Sequence, residues 1–327
     1  MDKSIDFDLV APWYDAYVQV ELDKAFWVAQ AHQHPGARLE LMCGTGRLSL
    51  PILQAGMELT CVDYSAGLLS VFREKLAGAG LEAQLLHRDV RDLGLSGFDY
   101  AFIGFHSFSE LLTRQDQLAA LRSIRSALVP AGTLALSLHN PVVRGPQLDG
   151  RWRGSGPFPL PGGGRLEMKG RYSLDPEAGL VVGAQAYKEY DAGGVLLHEV
   201  EMPMQFRLPG VEELEALATE AGFAAHRWWG DYQSGPFEPE RSPFIICELR
   251  KRGAGRRLPL IRLDAGAYPM NASHSASAAP NVTPNACANR CSMRARESSR
   301  ALARKNTSTR SRPNLVMRNA RNEPASQ

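Results

Sequence analysis

The run Leu39-Glu40-Leu41-Met42-Cys43-Gly44-Thr45-Gly46-Arg47 constrains this chain more than any other stretch. An apolar strand runs directly into a turn with two glycines, and a helical pattern follows. The glycines let the backbone take positive φ and approach a ligand closely, and the turn presents N–H groups at a helix start. The same alternation continues downstream. Apolar runs at Leu39–Cys43, Leu59–Asp63, Gln84–His87, Tyr100–Phe105 and Thr133–Leu138 are separated by helical stretches. Repeated βαβ units imply an α/β, doubly wound, mostly parallel sheet of the Rossmann-like kind. The second run ends in Asp63, 17 residues beyond Gly46. In such folds an acid at that strand end accepts hydrogen bonds from ribose hydroxyls, so a nucleoside-bearing cofactor is expected.

The rest of the chain reads in three parts. Residues 1–35 are helical, with a cluster at Trp13, Tyr14 and Tyr17, and with Leu22, Phe26 and Ala29 on one face. Before the fifth run, Leu118, Leu121, Ile124 and Leu128 mark an amphipathic helix started by Asp116 and stopped by Pro130 and Gly132. Residues 141–165, rich in Gly, Pro and Arg, read as a loop. Three strand-like runs follow at 166–174, 180–190 and 195–208. In the last, Val200, Met202, Met204, Phe206 and Leu208 alternate with polar residues, as in an antiparallel strand covered on one side. Pro203 lacks a ladder donor and marks it as an edge. A helix over 211–222 and strands near 224–231 and 243–250, the last antiparallel, complete the folded part. The antiparallel segment 151–208 is thus an insertion in one domain, residues 1–252, and is expected to cover the active-site edge.

Charge separates that domain from the C-terminal segment. Residues 253–327 hold 13 basic and 3 acidic side chains, leaving 24 basic and 32 acidic in residues 1–252. The basic segment is rich in Ser, Ala, Asn and Arg with one aromatic, Tyr268, too little apolar surface to offset its ordering entropy, and it reads as a disordered tail. The acidic domain is a poor match for phosphate backbones, so nucleic acid is not the expected partner. No apolar run approaches the roughly 20 residues of a membrane span, and the acidic N-terminus lacks the apolar core of a secretory signal. Cys43, Cys61 and Cys247 lie in apolar runs as reduced core residues, and the Cys287/Cys291 pair has no second pair for a zinc site. A cytoplasmic protein without a metal is expected.

Which cofactor is decided around the turn. A dinucleotide fingerprint wants a third small residue where Ser49 stands, and has no acid at Glu40. A carboxylate there suits a cationic ligand and repels a pyrophosphate. With LELMCGTGR, then VDYS, HRDVRDL and VPAGTL in order, residues 10–252 resemble a class I S-adenosylmethionine-dependent methyltransferase, of the small-molecule group with an LELxCGTGR motif. The resemblance implies S-adenosyl-L-methionine as cofactor. Glu40 supports its methionyl end, Gly44 and Gly46 line it, Asp63 takes the ribose hydroxyls, Asp89 and the Val90 backbone meet the adenine, and Tyr14 or Tyr17 covers it. Phe105 and His106 border the methyl group. One position departs: the family's first glycine is Met42, whose side chain either crowds the cofactor or turns into the sheet.

The expected chemistry is in-line displacement of methyl from a sulfonium onto a small-molecule acceptor. The protein aligns the nucleophile and excludes water. Candidate bases are His106 and His139, in loops after the fourth and fifth strands. Asn-Pro-Pro-Tyr/Phe, the tetrapeptide of methyltransferases acting on nucleic-acid bases, is absent from the fourth loop. Trp152, Phe158 and Tyr187 are candidate pocket aromatics, or packing for the inserted sheet. The rival readings are a nicotinamide-dependent oxidoreductase and a non-catalytic protein of methyltransferase fold.

Overall fold

The alternating runs of the first half build the sheet they imply. The computed structural model describes residues 4–253, which belong to the first of two units, Met1–Pro284. In chain order the elements are α1 (Tyr14–Tyr17), α2 (Lys24–Gln33), β1 (Arg38–Leu41), α3 (Ser49–Gln54), β2 (Thr60–Asp63), α4 (Ala66–Ala79), β3 (Gln84–His87), β4 (Phe98–Ile103), α5 (Arg114–Ala127) and β5 (Leu128–His139). There follow α6 (Pro141–Arg144), β6 (Arg153–Pro159), β7 (Arg165–Asp175), β8 (Leu180–Tyr190), β9 (Leu196–Arg207), α7 (Val211–Glu220), β10 (Phe223–Trp229) and β11 (Phe244–Lys251). The main sheet has the order β10-β11-β5-β4-β1-β2-β3. Strands β1 to β5 pair in parallel, and β11 runs antiparallel to both β5 and β10. This is the expected doubly wound, mostly parallel Rossmann-like sheet, with the expected antiparallel last strand.

The period-2 alternation of the central strands decides which helices they meet. Leu39, Leu41, Ala101, Ile103, Leu134, Leu136 and Leu138 bury with residues of α5 and α7 on one face. Tyr100, Phe102, Cys61, Ala135 and Ile246 bury with residues of α2, α3 and α4 on the other. Each fully buried Leu or Phe contributes roughly 1.5–3 kcal/mol of transfer free energy. Both faces are therefore well anchored, and the carboxyl edge is left to the loops. Cys43, Cys61 and Cys247 are buried free thiols, and no described helix is long and apolar enough to cross a membrane.

The second sheet, β6-β7-β8-β9, is fully antiparallel, and β9 with Pro203 is its edge. Leu166, Tyr187, Met202 and Met204 on it bury against Ile5, Val10, Trp13 and Tyr17 of the N-terminal segment. Tyr187 is fully buried and packs on Trp13 and Tyr17, while Trp152 is 39% exposed beside Lys169 and Arg171.

Four expectations need correction. The stretch 141–165 is not all loop: Arg153–Pro159 is a strand whose backbone pairs with β7 despite its Gly and Pro content. α5 is capped by Thr113, not started by Asp116. The Thr113 hydroxyl accepts from Asp116 N–H at 3.0 Å and donates to the Asp116 carboxylate at 2.6 Å, a capping arrangement with Asp116 three residues on. α5 also ends before Pro130, which lies within β5 with Gly132. In α2 the buried residues are Phe26, Trp27, Gln30 and Ala31, while Ala29 is exposed: Trp27 stacks on Phe102 and turns the helix about its axis. The basic segment, apart from Gly253, and Cys287 and Cys291 lie outside the described residues.

Candidate active site

The glycine turn sits where β1 meets α3, at the carboxyl edge of the parallel sheet. Gly44 and Gly46 have φ of +57° and +77°, which explains both glycines sterically. They serve different ends. A Cβ on Gly46 would fall 2.2 Å from the buried Phe72 ring, whereas one on Gly44 would meet only Leu68, at 3.8 Å. Gly46 lets the turn close onto α4, and Gly44 keeps space open. Met42 also has positive φ, +56°, so this residue, which departs from the glycine of the motif it resembles, holds a glycine-like backbone. Its side chain is partly buried against the core beneath β1, and Met42 also lines the cleft.

That cleft is lined by Tyr14, Glu40, Met42 and Gly44 on one side and by Arg47, Phe105 and Ser107 among others. Glu40 alternates with Leu39 and Leu41, so its carboxyl turns to the opposite face. It is 3% exposed, accepts a short hydrogen bond from the Ser49 hydroxyl, and burial pushes its pKa up to about 8. Asp63, at the end of β2, accepts from Gly44 N–H at 2.7 Å and from Ser65 N–H at 2.8 Å. Burial outweighs those bonds and raises it to about 6. Asp63 therefore ties the glycine turn to the next strand.

Three N-terminal aspartates clasp the same elements. Asp8 accepts from the Ser65 hydroxyl at 2.6 Å and from Gly67 N–H at 2.8 Å. Asp15 accepts from the Thr45 hydroxyl at 2.6 Å and pairs with Lys75 at 2.8 Å. Asp23 holds Arg47 through two bonds of 2.6 and 2.7 Å, and Arg47 also donates to Val20 O. The Arg47 guanidinium lies 4.5 Å from the Phe105 ring centroid. These contacts set Tyr14 against the cleft, its ring edge-on to Phe7 and Tyr17. Sequence reasoning finds the tyrosine but misses the aspartates. Their signal is only an acid every seven or eight residues in an aromatic segment.

The loop after β4 carries Phe105 and His106, both at positive φ (52° and 65°), an uncommon pair of non-glycine left-handed residues. Such backbone strain concentrates at functional sites. His106 and His139 stack with ring centroids 3.7 Å apart, against Phe244. Burial, with Arg144 and Arg47 nearby, lowers His106 to about 3, and His139 falls well below its ordinary value from burial and His106. Both rings are neutral near pH 7, and His106 is a weak proton acceptor. His106 Nδ1 is buried without a partner among the described residues.

Asp89 and Val90 are not among the residues that line the cleft. Both Asp89 oxygens bond Arg91, at 2.6 Å in the closest contact, and Arg91 also pairs with Asp116 of α5 at 2.6 Å. Those contacts hold its carboxyl below the usual range, and Val90 is buried in the core.

Residues 39–132 match the family model described as a methyltransferase domain. A putative methyltransferase, YqeM, of Bacillus subtilis (strain 168) is 30% identical over 116 residues, 35% of this chain and 47% of that protein. Demethylmenaquinone methyltransferase of Staphylococcus aureus (strain JH9) is 28% identical over 191 residues, 57% of this chain and 66% of that protein. The chain thus spans about half to two thirds of these relatives. The fold is similar to an S-adenosylmethionine-dependent methyltransferase from Clostridium acetobutylicum ATCC 824, with a TM-score of 0.63 and 16% identity over 76% of this chain and 99% of that one.

Proposed function

We propose that this chain transfers a methyl group from S-adenosyl-L-methionine to a small-molecule acceptor by in-line displacement, with residues 1–252 as its catalytic domain. One observation carries the reading. At the carboxyl edge of the sheet, the open side of Gly44 adjoins two buried carboxyls, Glu40 and Asp63, bonded to neutral donors. Asp63, ionised near neutrality, would repel a dinucleotide pyrophosphate. It offers an acceptor to ribose hydroxyls, and a cationic ligand end would draw Glu40 into its ionised form. The residues present therefore fit the cofactor, which supplies the electrophilic methyl on a sulfonium.

The chain's residues bind, orient and exclude water. Glu40 faces the cationic end, Asp63 accepts from the ribose, and Tyr14 closes the cleft from above. Asp89 and Val90 remain candidates for the adenine, with Asp89 then sharing its carboxylate with Arg91. Phe105 and the neutral His106–His139 stack wall the reacting end. His106 Nδ1 accepts a hydrogen bond from the acceptor's nucleophile and orients it. With its pKa near 3 it stores no proton at neutrality, so alignment carries the rate. A small-molecule acceptor is favoured by the neutral aromatic wall, and the Staphylococcus aureus relative, a demethylmenaquinone methyltransferase, points the same way.

The test is calorimetry of S-adenosylhomocysteine binding to the full chain, followed by labelling of cell extract with methyl-labelled cofactor. Binding and one labelled small molecule are expected. No binding removes the reading. Asp63→Ala is expected to weaken affinity by roughly 1–3 kcal/mol, the cost of leaving buried donors unmade.

A further inference from the structure

Glu40 is held from inside the fold by a chain of two buried donors. Glu40 and Cys61 are register partners on β1 and β2, so their side chains leave the sheet on the same face. Ser49, the first residue of α3, meets both. The Cys61 thiol donates to Ser49 Oγ at 3.4 Å, and the Ser49 hydroxyl donates to Glu40 Oε2. All three residues are buried, Ser49 and Cys61 completely. A helical serine can bond its own backbone one turn back. This one gives its single proton to a side chain of the sheet beneath it. The Cys61 thiol takes the acceptor side of the hydroxyl, which leaves its proton aimed at Glu40. Ser49 is the one hydrogen-bond partner of the Glu40 carboxyl among the described residues, so Oε1 makes no such bond, and Glu40 lines the cleft.

We propose that Ser49, oriented by Cys61, is a positioning residue that fixes the Glu40 carboxylate for the cationic end of the bound cofactor. The proposal deepens the function given above and rests on it. An ammonium needs an ionised partner, and a buried carboxyl resists ionisation. Burial pushes Glu40 up to about 8, and the Ser49 bond acts in the opposite direction. A hydrogen bond to a charged acceptor is stronger than one to a neutral acceptor, so the Ser49 donor favours the ionised form. The charged groups facing Glu40 are Arg47 and Asp23, which pair with each other, and Asp63 on β2. Tyr14 in the cleft wall, Tyr100 on β4 and Cys43 in the turn are raised by burial and carry no charge near neutrality.

The test uses the full chain and calorimetry with two ligands, S-adenosylhomocysteine and 5′-methylthioadenosine, which has no ammonium, at pH 6.5 and pH 9. Ser49→Ala is expected to weaken S-adenosylhomocysteine about tenfold at pH 6.5 and less than about threefold at pH 9, because a carboxyl that has lost a charge-assisted bond ionises at higher pH. Each loss is a ratio to the parent at the same pH, so titration of the ligand's own amine cancels. The affinity for 5′-methylthioadenosine is expected to change less than about twofold at either pH. Cys61→Ala leaves the Ser49 hydroxyl in place but unoriented. It is expected to show the same pH pattern at smaller amplitude, about threefold at pH 6.5, and carries the test if Ser49→Ala misfolds. Losses equal at the two pH values, losses equal for the two ligands, or no loss from either variant overturn the proposal while wild-type S-adenosylhomocysteine binding stands. Failure of the wild type to bind S-adenosylhomocysteine overturns the functional reading and this proposal with it.

Discussion

Gly44 and Gly46 should fail in different ways when given a methyl group. At Gly46 the added Cβ meets three atoms of the Phe72 ring at 2.2–2.5 Å, and Phe72 is fully buried among α3 and α4 residues, so the ring has nowhere to swing. Left-handed backbone costs a non-glycine residue about 1–2 kcal/mol, and overpacking a tight core costs about 1–3 kcal/mol. The stiffer unfolded chain returns about 0.4–1 kcal/mol. Gly46→Ala is therefore expected to destabilise by about 2–4 kcal/mol. At Gly44 the same strain applies, but the nearest neighbour is Leu68 at 3.8 Å, so the net cost is about 1 kcal/mol. There the methyl group intrudes on the cleft that Gly44 lines, and S-adenosylhomocysteine affinity should fall at least about tenfold, or 1.4 kcal/mol. Urea denaturation gives the first quantity and calorimetry on the same samples the second. Equal destabilisation by the two substitutions would refute the steric argument. A stable Gly46→Ala protein that has lost binding would invert the assigned roles.

Three further outcomes rest on the same geometry. Because Met42 holds φ +56°, Met42→Gly should be more stable than Met42→Ala by about 1 kcal/mol, the reverse of the usual order; an alanine variant at least as stable would show the strain to be absent. Asp23→Ala should cost about 3–5 kcal/mol in denaturant, since it strands the Arg47 guanidinium, 10% exposed, without its paired carboxylate; a loss under about 1 kcal/mol would mean the ion pair is not formed in solution. Glu40 is raised from 4.5 to about 8, so the folded chain binds more protons than the unfolded chain in that interval. Its stabilising contribution is present below pH 4.5 and lost as pH rises through 8. Melting temperatures of the unliganded protein between pH 5 and 8 should fall less steeply in Glu40→Gln than in the parent, and parallel curves would discount the shift.

The central strands were legible because burial on both faces writes itself as apolar runs, and those runs became β1, β2, β4 and β5; the edge strand β3 was legible from Leu85 and Leu86, which are only half-buried. The glycine turn was legible because only glycine takes its backbone cheaply. β6 was not, because Phe158 is its one large apolar side chain and the rest of Arg153–Pro159 is held by ladder bonds to β7. The Thr113 cap was obscured by Asp116, a plausible start in its own right. Of the candidate site, Tyr14, Glu40, Gly44 and Phe105 line the cleft and Asp63 touches it through Gly44, while Gly46 packs on Phe72 instead. Asp89 carried a readable hint in Arg91, two residues on, but the Arg91 pair with Asp116 spans 25 residues and has no local signature.

Periodicity and glycine sterics act over a few residues, so the sheet, its winding and its ligand-facing edge can be read along the chain. What surrounds that edge arises from packing between distant segments. Asp8, Asp15 and Asp23 find Ser65, Thr45 and Arg47 across 24 to 57 residues. The neutrality of His106 and His139 is likewise a property of burial, which no spacing along the chain encodes.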